Sequence, residues 1–274
     1  MTAGGLLREE DEIKSYLRSI RGDPQATQDI LLRNDWVTNS EIVKHMLNTP
    51  FRYEQSLVEA IMFLAEDSIA YADLLNGFFI KTRLFNPHPY WGPIEAFFHN
   101  DSDLACSLSY KMLLLETSDG FSSGILLSWI LPINEEGFRY VIDNLNSQDE
   151  KTRRCSAIAI GSVLVENDFP RKEELLDGFA RGALESKQAT PELFFTLQRA
   201  YEHDPVVFEI IICRLIKMFG IDASREYIRA SEYKSNISIK CLKLAVEVLE
   251  HHSNNQQTID CGLATIFQLD KEFV

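Results

Sequence analysis

The chain has 274 residues, 45% hydrophobic and 25% charged, with 13 glycines and 9 prolines, a balance that excludes disordered, collagen-like and low-complexity classes. Its 41 Asp and Glu against 27 Lys and Arg leave a formal charge of −14, which repels phosphate backbones and disfavours nucleic acid as a partner. The acidity sits in residues 1–150, with 11 basic and 23 acidic groups against 16 and 18 in 151–274, which suits a basic protein or peptide partner docking on the front half, against the alternative that an acidic face serves solubility alone.

In chain order, the opening MTAGGLLREEDEIKSYL turns acidic where a secretory signal needs a basic start and a long apolar core, so a cytoplasmic location is expected. Glu10 to Trp36 are expected to form an N-terminal helical cap, followed by helices near 40–48 and from Tyr53. Phe85 to Pro93, FNPHPYWGP, breaks this pattern, because three prolines and a glycine predict irregular structure. Phe85, His88, Tyr90 and Trp91 are the partner-binding candidates, since large amphipathic rings are enriched at interface hot spots. The competing reading packs the same rings against neighbouring helices.

Beyond a helix near 93–99, spacing at Leu104, Leu108, Met112 and Leu115 predicts another over 104–116. Gly120 to Gly124, GFSSG, matches the G-x-S-x-G nucleophile elbow, but the elbow needs a strand before it and here a helix precedes. The segment is read as a helix–helix turn. Ile125 to Leu131, ILLSWIL, is far shorter than the roughly 20 residues that span a bilayer and reads as buried core.

A helix near 134–146 comes next, and Ser147 with Glu150 has capping-box spacing. From Asp149 the run DEKTRRCSAIAIGSVL carries no charge between Cys155 and Val165, which predicts a helix buried on nearly all sides. Within 171–185, Leu176, Phe179, Ala180, Ala183 and Leu184 fall on one stripe. Thr190-Pro191 and Asp204-Pro205 each offer a side-chain cap followed by proline at the first helical position. Phe208, Ile211, Ile212, Leu215 and Ile216 form the stripe of a 205–219 helix, with another helix near 222–231. Cys241, Leu244, Ala245, Val248 and Leu249 stripe a helix starting near Ser235. Residues 255–274 are expected to cap the C-terminal end by laying down Ile259, Leu263, Ile266 and Phe267. Few long segments alternate with period two, so the fold class is all-α.

Helices of similar character begin near Tyr53, Asp101, Asp149, Thr190 and Ser235, at separations of 48, 48, 41 and 45 residues, the length of a two-helix repeat. Residues 149–165 resemble the second helix of a HEAT repeat: an opening Asp, basic residues, small residues, and an A-L-G-x-L-like ending carried by Ala159, Ile160, Gly161 and Val163. The units around Asp101 and Ser235 share only a small residue, Cys106 or Cys241, and the stripe. The resemblance implies one armadillo-type α-solenoid domain over 1–274, an α-α superhelix of five to six helix pairs.

Enzymes of similar architecture find little support in the residues. Deoxyhypusine hydroxylase holds iron through His-Glu pairs, and this chain has no His-Glu dipeptide. HEAT-like DNA glycosylases need a basic groove with aromatics. Arg153, Arg154, Arg199, Lys240 and Lys243 are the candidates to line one, against the alternative of dispersed surface charges. No motif singles out the phycobilisome lyases. The histidines, His45, His88, His99, His203, His251 and His252, show no H-x-x-x-H spacing. The five cysteines include no C-x-x-C and suggest neither a disulfide framework nor a zinc knuckle. Phosphate-binding glycine loops are missing, and Glu9-Glu10, Glu135-Glu136 and Glu173-Glu174 sit where helix dipoles favour them. No catalytic residue, metal or cofactor is therefore expected. The expected function is a non-enzymatic protein-interaction module or scaffold, binding through a concave face or the 85–93 segment. The alternatives are a glycosylase-like enzyme or a self-associating structural subunit.

Overall fold

The computed structural model describes residues 69–82, 91–165, 169–232, 237–252 and 256–272. Among these the chain forms twelve α-helices and no strand. They are α1 (Ile69–Thr82), α2 (Trp91–Asn100), α3 (Ser102–Leu114), α4 (Phe121–Ile130), α5 (Glu135–Asp143), α6 (Glu150–Val163), α7 (Lys172–Leu184), α8 (Pro191–His203), α9 (Pro205–Phe219), α10 (Ile221–Ser231), α11 (Ile239–His252) and α12 (Gln256–Glu272). The expected 10–36 cap and the helices near 40–48 and from Tyr53 lie outside the described residues.

Side-chain caps fix several of the helix starts. Asp101, Asn134, Thr190 and Asp204 each accept the backbone N–H three residues on, from Leu104, Gly137, Leu193 and Val207. Pro191 and Pro205 occupy the first helical position as expected. At α6 the cap is Asp149 rather than Ser147. Its carboxylate accepts both the Thr152 N–H at 2.8 Å and the Thr152 hydroxyl at 2.6 Å, while Ser147 Oγ accepts the Asp149 N–H before the helix begins. The Thr152 hydroxyl first, and its N–H second, hold the Asp149 carboxyl below its usual pKa.

Helix α7 starts without such a cap. Arg171, at φ 65°, instead pairs with Glu174 and Glu135 at 2.8 Å each and lies over the Phe138 ring at 3.6 Å. Those contacts tie the end of the α6–α7 connection to α5 and offset a backbone conformation that non-glycine residues rarely adopt.

Two compact units divide the chain at Leu126–Leu127, within α4. In the first, α3 packs on both α1 and α2. In the second, α5 packs on α7, α7 on α9 and α9 on α11, while α6 packs on α8, α8 on α10 and α10 on α12. Sequential neighbours also pack from α8 through α12, as do α5 and α6.

Helices α6 and α8 approach closely at Gly161, where a Cβ would meet Thr196 Oγ1 at 2.9 Å. That hydroxyl donates to the Ala157 carbonyl of α6 at 2.9 Å. Arg199 donates to the Gly161 carbonyl, and His203 Nε2 lies 2.8 Å from the Leu164 carbonyl, so α8 supplies donors to the carboxyl end of α6.

Four expectations are corrected. Trp91, Gly92 and Pro93 are helical, because a proline in the first turn removes an N–H that has no partner there anyway. Of GFSSG only Gly120 is in the turn; Phe121 to Gly124 open α4, with Ser122 and Ser123 fully buried. In α7 the buried residues are Leu175, Gly178, Phe179 and Ala183, so Leu176, Ala180 and Leu184 flank the stripe instead of forming it. In α12 Ile259 and Leu269 are buried, whereas Leu263 and Phe267 are exposed.

Candidate functional site

The residues expected to bind a partner fall at or beyond the edge of the described residues. Phe85, His88 and Tyr90 lie outside the described residues, and Trp91 is the first residue of α2 with its side chain outside them. Four of the five basic residues proposed to line a groove are engaged at separate places. Arg153 donates to the Ser147 carbonyl, Arg154 pairs with Glu192 at 3.1 Å, Arg199 serves the end of α6, and Lys240 pairs with Glu209 at 2.9 Å. Burial pulls the Arg199 pKa down. Among the described residues no group of three or more His, Cys, Asp or Glu is placed to hold a metal.

The surface of α9 supplies what the sequence reading missed. Its inward stripe, Phe208, Ile211, Ile212, Leu215 and Ile216, is buried as expected. The opposite side carries a second apolar row. Val206 is 73% exposed, Ile210 61% and Met218 47%, and Arg214 is exposed in the same row, with exposed Lys217 beside it. Val206, Ile210, Arg214 and Met218 follow the i, i+4, i+8, i+12 spacing that keeps side chains on one helix face. Two apolar stripes on one helix were therefore a visible signal, since one of them exceeds what packing requires.

Helix α11 completes the feature. Ile210, Cys213, Arg214 and Lys217 of α9 face Lys240 and Leu244 of α11 across a groove of about 460 Å³. Aliphatic and thiol groups line it together with three cations. Glu209 joins the two helices: it accepts from Ser238 Oγ at 2.7 Å and from Lys240 Nζ at 2.9 Å. The Lys240 hydrogen bond, then that of Ser238, lowers the Glu209 pKa, and the same carboxylate raises that of Lys240. Ser238 also accepts the Cys241 N–H at 3.2 Å, the N-cap pattern at the start of α11. Arg214 and Lys217 have no carboxylate within ion-pair distance among the described residues, so their charge faces the groove uncompensated.

Comparison with known proteins adds no family. No protein-family model, no curated protein and no solved structure matches the chain. The groove therefore stands on its own chemistry: aliphatic side chains from both helices, a Glu209–Lys240 pair that joins them, and two cations of α9 with no ion-pair partner among the described residues. No helix among the described residues is long and apolar enough to cross a membrane.

Proposed function

We propose that the chain is a non-enzymatic interaction module built as a HEAT-like α-solenoid, and that the α9–α11 groove binds an acidic, apolar-anchored peptide segment of a protein partner. The packing of each helix on the one two places ahead, from α5 to α12, supports the solenoid reading. The observation that carries the binding reading is the outward row of α9, where Val206, Ile210 and Met218 remain exposed beside Arg214 and Lys217. Monomer surfaces keep contiguous apolar patches small, and a patch rimmed by charge is the common form of a docking site.

The sign of the partner follows from the local charges. The chain as a whole carries −14, but fields of exposed charges decay over about 10 Å at 0.1 M salt, so Arg214 and Lys217 dominate over the groove. This occupant is opposite in sign to the basic partner expected for residues 1–150. An amphipathic helix laid along the groove would place aliphatic anchors against Ile210 and Leu244 and carboxylates against the cations.

Fluorescence anisotropy with the full chain tests this. Two labelled synthetic helices share one apolar face and carry either Glu or Lys on the polar face. The Glu helix should bind, lose affinity as salt rises, and weaken at least about tenfold against the Arg214→Glu/Lys217→Glu double variant. Equal binding of both helices, or of neither, would overturn the reading. Light scattering supplies the remaining outcome: dimerisation abolished by Ile210→Asp would assign the groove to a second copy of the chain and remove the peptide.

A further inference from the structure

All five cysteines are free thiols, but two of them meet. Cys213 of α9 and Cys241 of α11, 28 residues apart in sequence, place their sulfurs 2.8 Å from each other, within about 1 Å of the ~2.05 Å disulfide bond length. The helices that carry them are already fastened just ahead of each cysteine in the sequence. Glu209 binds Ser238 and Lys240, and Cys241 Sγ lies 3.4 Å from the Glu209 carbonyl. Cys213 lines the groove and is half-exposed, whereas Cys241 is fully buried. One sulfur can therefore be reached by a small oxidant and the other is shielded behind it.

The remaining three cysteines lack this arrangement. Cys106 and Cys155 are buried, and Cys261 donates to Glu232 Oε1 at 3.0 Å. Burial first, and the Glu232 hydrogen bond second, push the Cys261 thiol up to about 11. Burial also raises the thiols of Cys155 and Cys241, so neither is the sulfur that meets an oxidant first, and Cys241 keeps its proton until the sulfur beside it is oxidised.

We propose that Cys213 and Cys241 are a reversible thiol–disulfide pair, oxidised by hydrogen peroxide and closing a covalent link between α9 and α11 at the groove. The Cys213 thiolate attacks one peroxide oxygen, breaking the O–O bond to give a sulfenic acid and hydroxide. The Cys241 sulfur then attacks the Cys213 sulfur; the S–O bond breaks, and the hydroxyl leaves with the Cys241 proton as water. The net change is two thiols and one peroxide to one disulfide and two waters, with two electrons passing from sulfur to oxygen. Thiols reverse it by exchange at the sulfur reached through the groove. The chemistry needs Cys213 to be reachable through the groove and does not depend on the identity of the groove's partner.

Peptide mapping of the full chain provides the test, because trypsin separates the relevant cysteines. Cys213 falls in the peptide 200–214 and Cys241 in 241–243. The protein is treated with a small excess of hydrogen peroxide, blocked with N-ethylmaleimide, and digested without reduction. The expected product is 200–214 linked to 241–243, with two of the five thiols lost, both regained with dithiothreitol, and no such loss in Cys213→Ser. Recovery of the two peptides separately would overturn the proposal, whether the cysteines are blocked by maleimide, over-oxidised to sulfinic acid, or linked elsewhere. The decisive reading comes from the wild-type chain, so it stands even where the serine variant fails to fold.

Discussion

Helices α6 and α9 are both rich in apolar residues, yet they use them differently. In α6, Cys155, Ala157, Ala159, Ile160 and Val163 are buried, and the small residues admit α8 at close range. In α9, five large side chains fill the interior, and Val206, Ile210 and Met218 are left in solvent beside two cations. The first pattern is what packing demands of an interior helix. The second exceeds what packing among the described residues uses, and it is on this surplus of exposed apolar surface that the docking proposal rests.

The largest effect that separates the two helices comes from the same charge placed on each. Ala159→Asp buries an unpaired carboxylate and should cost more than about 3 kcal/mol in urea unfolding. Ile210→Asp should stay within about 0.5 kcal/mol of wild type, because its side chain already faces water. A large loss at Ile210 would erase the distinction.

A smaller change probes the α6–α8 contact alone. Gly161→Ala would set a methyl group 2.9 Å from Thr196 Oγ1 and should destabilise by about 1–3 kcal/mol, through a shift in the hydroxyl that serves the Ala157 carbonyl. No change in the unfolding midpoint would show that α8 gives way freely there.

The smallest effect concerns the start of α6. Asp149→Ala should cost about 1 kcal/mol at pH 7 through loss of the cap. The folded pKa of Asp149 is depressed, so its contribution is fully present above the ordinary aspartate value of about 3.9 and is lost as pH falls through the folded value. Wild type and variant should therefore converge in stability below about pH 4, and a gap that persists unchanged at the lowest pH would contradict the cap assignment.

Local features were the most legible in the sequence. Thr190-Pro191 and Asp204-Pro205 announce their helices because a cap and its proline act within one turn. The inward stripe of α9 was readable for the same reason. Helix α7 was read one residue out, since Leu175 and Leu176 are equally apolar and the choice between them lies in the partner. Gly178, where a Cβ would strike Ile142 of the neighbouring α5 at 2.8 Å, turns the helix toward Leu175. The groove was beyond local reading, because it depends on the register of α9 against α11 across the Glu209–Lys240 and Cys213–Cys241 contacts. Composition likewise showed charge by halves, while the cations that matter are set by which face of α9 turns outward.

The most direct measurement is hydroxyl-radical footprinting of the full chain without any partner, read by mass spectrometry at single side chains. Ile210 and Met218 should be oxidised at the rates of exposed residues, with Phe208 and Ile212 of the same helix protected. Equal protection of all four would mean that the outward row of α9 is covered, and the groove would have no claim as a docking surface.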